Sequence, residues 1–245
     1  VRYVKIFFML VRRVPPVPSP VLTEVFEILS RRGFQVHGDI AEDRVTQPDL
    51  LRVEHDLYVL KSHTDLSLSL AGILHAQGAR LLNPYLSCTA TQDKIVASRF
   101  LRAARVPAPR TWSTGDLSLL RDVVETTPLI LKPFRGHRGA GLHVVRDPNE
   151  LAAVPPPPVP LLAQEYVQGS GEDLKIYVVG DEVFGTRKPF SDTSFTQAGR
   201  FCDVGDEVRD MARRCGQALG LGLYGLDVVE SAYGPVVVDV NYFPG

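Results

Sequence analysis

The alternation of apolar and polar positions along the first third of the chain predicts strands that alternate with helices. An apolar run at Val4–Val11 predicts the first strand, and Ser19-Pro20 predicts the start of a helix that Gly33 ends. Because strands and helices continue to alternate, this region predicts a small parallel sheet. The later elements are strands at Phe34–Val36, Leu57–Leu60 and Ala79–Leu82, and a helix at Leu66–Gln77.

The rest of the chain is dominated by pairs of apolar runs on either side of turn residues. Each pair predicts a β-hairpin, and helices with capping signals separate the hairpins. The expected hairpins lie at Leu129–Val145, Ile176–Phe184 and Gly225–Asn241, the last with a turn at Ala232–Pro235, and Arg187-Lys188 follow the second hairpin. The other expected elements are helices at Thr91–Ala104 and Asp206–Leu219, a buried strand at Leu161–Val167, and a stiff proline-rich connector at Ala152–Pro160.

Composition and charge exclude several classes of protein. The hydrophobic fraction is 44% and the charged fraction 22%, which is typical of a globular protein. A net charge of −1 gives no global field for nucleic acid or anionic membrane, and no apolar run is long enough to span a bilayer. Cys88, Cys202 and Cys215 fit neither a disulfide framework nor a zinc site, so we expect a reducing, cytoplasmic location. The absence of a GxGxxG fingerprint argues against a nicotinamide enzyme.

The last hairpin carries the most informative polar residues. Side chains alternate faces along a strand, so Asp239 and Asn241 point the same way, and Asp227 lies opposite Asp239 to within a residue. Two facing carboxylates repel each other, and a hard divalent cation such as Mg²⁺ removes that conflict. Asp227, Asp239 and Asn241 are therefore candidate metal ligands. The alternative is that they are solvated strand ends beside turns.

A glycine-rich loop and two lysines are candidates for phosphate binding. Gly136, Gly139 and Gly141 allow the backbone to approach a polyphosphate, and Lys132 just before them supplies a positive charge. Lys94 is expected in the first turn of its helix, where the helix dipole disfavours a cation unless a phosphate is bound there. The loop lacks the ending of a Walker A motif. The alternatives are a flexible hairpin that carries arginines and a solvated lysine.

Six motifs follow one another along the chain: Asp93-Lys94, Lys132 with the glycine loop, Gln164-Glu165-Tyr166-Val167, Asp173-x-Lys175, Asp227, and Asp239-x-Asn241 before Pro244-Gly245. Their order resembles the ATP-grasp superfamily over about residues 80 to 245, and most closely the RimK-type glutamate ligases. Lys175 stands where that family usually has arginine. The resemblance implies an α/β (α+β) protein with a small N-terminal parallel α/β domain at 1–85. An ATP-grasp domain would follow at 86–245, with a glycine-loop subdomain at 86–163 and a metal-binding subdomain at 164–245.

The resemblance implies ATP and Mg²⁺ (or Mn²⁺) as cofactors and a reaction through an acyl phosphate. A substrate carboxylate would attack the γ-phosphate, and an amine would then displace phosphate to form an amide. Small-molecule or peptide carboxylates and amines are the expected partners, with no nucleic acid and no membrane. The implied residues are Lys94, Lys132, Gly136, Gly139, Gly141, Glu165, Tyr166 and Asp173 for ATP, Lys61, Lys175 and Arg200 for substrate, Asp227, Asp239 and Asn241 for metal, and Arg187 for the transferring phosphoryl group.

Other interpretations are open at this point. The chain also resembles the inositol polyphosphate kinases of the ATP-grasp class through Lys61-Ser-His-Thr-Asp65, His137 and its Pro-Gly ending, but its N-terminal part has few basic residues for several phosphates. A non-catalytic nucleotide-binding protein is a third interpretation, and Arg187 could be a solvated arginine after a strand. Family members continue beyond Pro-Gly with another helix, so a fragment truncated after Gly245 is also open.

Overall fold

The computed structural model describes residues 3–13, 19–135, 141–156, 160–189 and 199–244. The chain divides into two compact units, Val1–Thr89 and Ala90–Gly245. The described residues form one parallel and two antiparallel sheets together with helices, which confirms the predicted mixed α/β class. The finer division of residues 86–245 at position 163 stays a prediction. Among the described residues no helix is long and apolar enough to cross a membrane.

The first unit contains a four-stranded sheet in which every neighbouring pair is parallel. The strands are β1 (Lys5–Leu10), β2 (Gln35–Ile40), β3 (Leu57–Leu60) and β4 (Leu81–Leu82), in the order β2-β1-β3-β4. The helices are α1 (Pro20–Arg31) and α2 (Asp65–Ala76), with two short 3₁₀ helices at Ala41–Asp43 and Pro48–Leu50. Ser19 and Thr64 cap α1 and α2, because their hydroxyls accept hydrogen bonds from free N–H groups in the first turn.

Helix α1 packs closely on the sheet of the first unit. The rings of Phe8 and Phe26 lie 4.7 Å apart between centroids. Gly38 permits this contact, since a Cβ there would lie 2.9 Å from Leu10 Cδ1 and 3.1 Å from Phe26 Cζ. The alternation of strands and helices seen in the sequence therefore gives the parallel sheet that it predicted.

Two helices replace the single helix predicted at Thr91–Ala104. They are α3 (Tyr85–Gln92) and α4 (Lys94–Ala103), and Asp93 separates them. The Asp93 carboxylate accepts hydrogen bonds from Ile95 N at 3.0 Å and Val96 N at 3.1 Å, so it caps α4 and does not lie inside a helix. The prediction was wrong because the capping preference of aspartate outweighed the continuous helical spacing. Lys94 is consequently the first residue of α4.

The second unit contains a four-stranded antiparallel sheet in the order β5-β8-β6-β7. Its strands are β5 (Thr111–Thr114), β6 (Leu129–Pro133), β7 (His143–Val145) and β8 (Leu161–Glu165), and α5 (Arg121–Val124) and α6 (Pro148–Ala152) lie between them in sequence. One face carries the hydrophobic core cluster Leu120, Val124, Leu129, Leu131, Val145, Leu151, Leu161 and Ala163. Alternation along β6 and β8 places Lys132 and Gln164 on the other face.

The same unit contains a five-stranded antiparallel sheet in the order β11-β10-β9-β12-β13. Its strands are β9 (Glu172–Val179), β10 (Glu182–Pro189), β11 (Arg200–Cys202), β12 (Leu223–Ser231) and β13 (Gly234–Asn241). Helix α7 (Asp206–Leu219) packs on one face, where the Tyr224 hydroxyl donates to the Ala212 carbonyl at 2.8 Å. Gly216 makes room for that ring, because a Cβ there would lie 2.3 Å from the Tyr224 hydroxyl.

Several strands of this unit are longer than predicted. Strand β9 already begins at Glu172, and strand β10 continues to Pro189. Arg187 therefore lies within β10 and not beyond the hairpin. Strand β9 is hydrogen-bonded on both edges, to β10 and to β12. This pairing keeps the polar residues of β9 in the strand despite their low strand propensity. The final turn is also tighter than predicted, since Gly234 and Pro235 already belong to β13. Helix α6 was not predicted, and it ends at Ala152, the first residue of the predicted proline-rich connector. Residues 157–159 of that connector lie outside the described residues.

Candidate active site

The two carboxylates of the last hairpin face each other across β12 and β13. Asp227 is the direct register partner of Asp239, and Gly225 is the partner of Asn241. Side chains of such directly opposite residues share one face, with Cβ atoms about 4.5–5.5 Å apart. On its other side Asp227 is in register with Lys175 of β9. One row across three strands therefore brings together two acidic side chains and one basic side chain.

Each of the two carboxylates is hydrogen-bonded to a lysine. Lys175 Nζ donates to Asp227 Oδ1 at 2.8 Å. Lys94 Nζ, at the start of α4, donates to Asp239 Oδ1. Burial acts to lower the pKa of Lys175, but attraction to Asp227 and the hydrogen bond with it outweigh burial, and the pKa is raised. The repulsion expected between the facing carboxylates is thus relieved by two ammonium groups of the chain itself.

Lys132 is bonded to neutral groups only. It lies on β6, the residue is 8% exposed, and burial lowers the pKa of its ammonium group. Its Nζ donates to Gln164 Oε1 at 2.7 Å and to the Val238 carbonyl at 3.2 Å. The Lys132 side chain therefore links the four-stranded sheet to β13 of the five-stranded sheet.

A β-bulge beside the carboxylates makes the Val238 carbonyl available to Lys132. Asp227 pairs with Asp239, but the next residue, Val228, pairs with Val237, so Val238 has no partner on β12. An extra residue of this kind interrupts the ladder locally and re-aims the side chains beside it. The bulge also puts Asp239 on the face of Asp227, whereas Val228 and Val237 form a buried pair.

The donor set on this face suits a hard divalent cation. Carboxylate and amide oxygens are ligands that Mg²⁺ accepts. Asp227 and Asp239 supply two carboxylates and Asn241 supplies an amide, on neighbouring strands. Among the described residues no group of three or more His, Cys, Asp or Glu side chains could hold a metal ion. A metal held by two carboxylates would take its other ligands from Asn241, water and substrate phosphates. The metal roles of these three residues stay predictions.

The predicted adenine-binding residues already make other contacts. The Glu165 carboxylate accepts from Arg110 Nε at 3.0 Å and from Nη2 at 3.2 Å, and hydrogen bonding to Arg110 lowers the pKa of Glu165. The N–H groups of Glu165 and Tyr166 donate to the Arg110 and Pro128 carbonyls at 2.9 and 2.8 Å. A contact with adenine would therefore have to use other atoms of these two residues, and their assignment stays a prediction.

The predicted phosphoryl-stabilising residue, Arg187, is engaged by carboxylates. Its Nη2 donates to Glu230 Oε1 at 2.8 Å, its Nη1 donates to Glu230 Oε2, and Glu172 Oε2 lies 3.9 Å from Nη1. The hydrogen bonds with Glu230 raise the pKa of Arg187. Arg187 is in register with the buried Leu174, and the following residue, Lys188, is in register with Asp173. The alternation of β10 therefore points Lys188, and not Arg187, to the face of Lys175.

The remaining candidates are scattered or lie outside the described residues. Burial raises the pKa of Asp173, which lies on the same face as Lys175 two residues away. Arg200 begins β11, with its Nη2 3.9 Å from Glu172 Oε1, and Gly141 has a positive φ of 72°. Lys61 follows β3 in the first unit. Gly136, Gly139 and His137, together with most of the segment between β10 and β11, lie outside the described residues.

Sequence reasoning assigned no role to Gln164 or Val238. Gln164 interrupts the apolar run Leu161–Ala163, and a polar residue in a buried strand requires a hydrogen-bond partner. Val238 ends three consecutive valines, a run that breaks the alternation expected before Asp239. Both irregularities were visible in the sequence and could have been used as signals.

Comparison with solved structures defines the class of fold. The described structure is similar to the RimK domain ATP-grasp protein from Sphaerobacter thermophilus DSM 20745, with a TM-score of 0.80 and 19% identity over 98% of this chain and 92% of that chain. It is also similar to D-alanine–D-alanine ligase from Bacillus anthracis complexed with ATP, with a TM-score of 0.74 and 17% identity over 100% of this chain and 87% of that chain. At these identities the similarity shows the ATP-grasp fold alone.

Sequence comparison defines the family. Residues 91–245 match the family of the RimK-like ATP-grasp domain, and the chain belongs to that family. The suspected resemblance is thereby confirmed. Curated relatives include probable alpha-L-glutamate ligases of Coxiella burnetii (strain Dugway 5J108-111), 28% identical over 69% of this chain, and Maridesulfovibrio salexigens, 29% identical over 69%. The chain spans 61% of the length of these relatives.

Proposed function

We propose that the chain is an ATP-dependent ligase that joins a carboxylate to an amine, with Mg²⁺ or Mn²⁺ as the metal. The observation that carries the proposal is the pair of facing carboxylates, Asp227 and Asp239, with three lysine ammonium groups around them. Phosphoryl transfer depends on positioning and on neutralisation of phosphate charge, and such a cluster can supply both. Membership of the RimK-like ATP-grasp family supports the same conclusion.

The proposed roles follow from the charges and positions of the side chains. Lys132 and Lys94 bind phosphates of ATP. Both ammonium groups lie near Asp239, the proposed metal ligand, so they can reach phosphates bound to the same metal. Neither lysine belongs to the hydrophobic core cluster. Bound Mg²⁺ would be held by Asp227, Asp239 and Asn241 and would neutralise charge on the phosphate oxygens. Lys94 would then exchange a carboxylate partner for a phosphate partner. The glycine loop, including Gly141, would cover the phosphates.

The proposed reaction balances without a covalent enzyme intermediate. A carboxylate oxygen of the substrate attacks the γ-phosphorus, the bond from that phosphorus to the bridging oxygen breaks, and ADP leaves. The amine nitrogen then attacks the acyl carbon, phosphate leaves, and the nitrogen loses a proton to give the amide. Lys175 and Lys188 lie on the face of Asp227 and are candidates to orient the substrate carboxylate. Lys61 and Arg200 remain further substrate candidates.

The names of the relatives favour ligation over inositol phosphate phosphorylation. Curated relatives are named probable alpha-L-glutamate ligases, and PsnB, an ATP-grasp ligase of 20% identity and TM-score 0.67, has been solved with precursor peptide PsnA2 and AMPPNP. We therefore propose an amino acid or a peptide as the substrate class. A cytoplasmic location is part of the proposal and is supported by three free cysteines, Cys88, Cys202 and Cys215.

The test is ADP release measured over a panel of amino acids, peptides and inositol phosphates, with product identification by mass spectrometry. We expect ADP formation that requires Mg²⁺, a carboxylate and an amine, together with an amide product. Phosphate transfer to an inositol phosphate, without an amide from any pair, would instead establish the kinase. Binding of Mg-ATP in a thermal melt without turnover over the whole panel would favour the non-catalytic alternative.

A further inference from the structure

Gln164 contributes a buried side chain beside the lysine proposed to bind phosphate. The residue is 6% exposed and lies on β8 in register with Ile130, two positions along from the partner of Lys132. Gln164 and Lys132 are therefore diagonal neighbours on the sheet face opposite the hydrophobic core cluster. Their side chains meet at 2.7 Å, from Lys132 Nζ to Gln164 Oε1.

The orientation of the Gln164 amide follows from the chemistry of its partner. An ammonium group has three donors and no acceptor, so the side chain must present its carbonyl oxygen, not its NH₂ group, to Lys132. The backbone carbonyl of Val238 is the second acceptor, at 3.2 Å. Together the two oxygens fix the direction of the Lys132 side chain without contributing a negative charge.

The neutrality of these acceptors distinguishes Lys132 from the neighbouring lysines. Lys94 and Lys175 donate to the carboxylates of Asp239 and Asp227, so their charges are largely compensated before any ligand binds. Lys132 is buried deeply enough that its pKa is lowered, yet its hydrogen-bond partners carry no charge. Asp239 and Asp227 attract this ammonium group without a hydrogen bond to it, and a buried charge attracts an anion more strongly than a solvated one does.

We propose that Gln164 is a positioning residue that holds the Lys132 ammonium group while leaving its charge free for the phosphates of the nucleotide. This inference rests on the proposed function, because it assumes that the chain binds ATP. It explains why the side chain at position 164 is an amide. A glutamate has the same shape and would hold Lys132 equally well, but its carboxylate would compete with phosphate for the same charge.

Substitutions of Gln164 separate the effect of charge from the effect of shape. Q164E keeps the shape and adds a carboxylate next to Lys132, so we expect the dissociation constant for Mg-ATP to rise at least about tenfold. Q164M removes the acceptor without adding charge, and we expect a rise of about threefold. The expected order of affinity is wild type, then Q164M, then Q164E. A role limited to packing would give the reverse order of the two variants, because glutamate is the closer match in shape.

The control is Q217E, which adds the same charge at an exposed position of α7. We expect Q217E to bind Mg-ATP as the wild type does. Affinity is measured by calorimetry, and thermal melts with adenosine provide a second comparison. Since adenosine has no phosphates, we expect all four proteins to show the same adenosine shift, whereas a general distortion of the site by Q164E would reduce it.

The outcomes distinguish failure of the inference from failure of the proposed function. If the wild type does not bind Mg-ATP, the proposed function fails and the inference fails with it. If the wild type and Q217E bind, and Q164E binds as tightly, the inference alone is wrong. Weaker binding by Q164M than by Q164E also overturns it. Should Q164E not fold, unchanged affinity in Q164M would overturn the inference, and a threefold loss with an intact adenosine shift would support it.

Discussion

The two sheets of the second unit provide their charged groups in different electrostatic states. On the five-stranded sheet, Asp227 and Asp239 each accept a hydrogen bond from a lysine, so each of these two carboxylates has a partner of opposite sign. On the four-stranded sheet, Lys132 is buried against the oxygens of Gln164 and Val238, which are neutral. In one region the charged groups are bonded to each other, and in the other the buried ammonium group is bonded to neutral oxygens only.

This difference indicates how the local charge of each region changes when a ligand binds. A metal ion that binds the carboxylates replaces ammonium groups of the same sign, so the local charge changes less than it would at a bare carboxylate pair. A phosphate that approaches Lys132 meets an ammonium group whose hydrogen-bond partners are neutral, so no carboxylate has to be displaced from it. The comparison predicts that substitutions in the two regions respond differently to Mg²⁺ and to nucleotide.

The largest effect is expected for Asp239→Asn on the five-stranded sheet. The substitution removes the carboxylate charge that is proposed to bind the metal and that pairs with Lys94. We expect turnover, with saturating Mg²⁺ and ATP, to fall roughly a hundredfold or more, as for the loss of a group that stabilises transition-state charge. Steady-state rates over a range of Mg²⁺ concentrations provide the measurement. D181N, in the exposed turn between β9 and β10, is the matched control, and an unchanged rate in D239N would contradict the metal assignment.

A smaller effect, of a different kind, is expected for Lys132→Met. The dissociation constant for Mg-ATP should rise about tenfold to a hundredfold, because a charge-assisted contact with phosphate is lost. The stability of the ligand-free protein should change little, since relief of a buried ammonium group and loss of a donor for Gln164 oppose each other. Calorimetry and urea unfolding measure the two quantities. A large loss of stability with unchanged affinity would mean that Lys132 is a structural residue.

Lys175→Met tests the region whose charged groups are bonded to each other. It leaves the Asp227 carboxylate, which is 29% exposed, without its ammonium partner, and we expect a loss of about 1–3 kcal/mol in the free energy of unfolding. Because Mg²⁺ can replace the missing positive charge, it should stabilise K175M more than the wild type. Chemical unfolding with and without Mg²⁺ measures this difference. K188M is the control, as the described residues show no ion pair for Lys188; an equal response of K175M and K188M to Mg²⁺ would contradict the prediction.

The smallest effect is expected for Glu230→Gln, away from the row of carboxylates. Hydrogen bonding to Arg187 lowers the pKa of Glu230, so the stabilisation is present above pH 4.5 and is lost as the pH falls through the folded-state value. We expect E230Q to lower stability at neutral pH by up to about 1 kcal/mol and to reduce the loss on acidification. Unfolding curves from neutral to acid pH, with the exposed E182Q as control, test this. A marked loss of turnover in E230Q would instead support a catalytic role for Arg187.

Sequence patterns predicted the elements that carry the site but not how its charges are arranged. The alternation around Asp239 and Asn241, and the turn before them, were enough to place Asp227 opposite Asp239 to within a residue, and the unpredicted bulge at Val238 sets the exact pairing. The partner of Asp239, by contrast, is Lys94, which is far away in sequence, and no local pattern specifies such a contact. The helix break at Asp93 was missed for a local reason, because capping and helical spacing gave conflicting signals. Arg187 was predicted to lie beyond the second hairpin because the prediction ended the strand too early, and its role at the phosphoryl group stays a prediction.

The bulge at Val238 divides the last hairpin into two segments whose pairing registers differ by one residue. On the turn side Val228 pairs with Val237, and on the other side Asp227 pairs with Asp239. A deletion of one residue between Val236 and Val238 would restore a single pairing register with Asp239 still opposite Asp227, but it would remove the unpaired residue whose carbonyl accepts from Lys132. The side chain at position 238 matters less, because Lys132 bonds to the backbone carbonyl there. Position 238 should therefore tolerate changes of residue type far better than any change in the length of the strand.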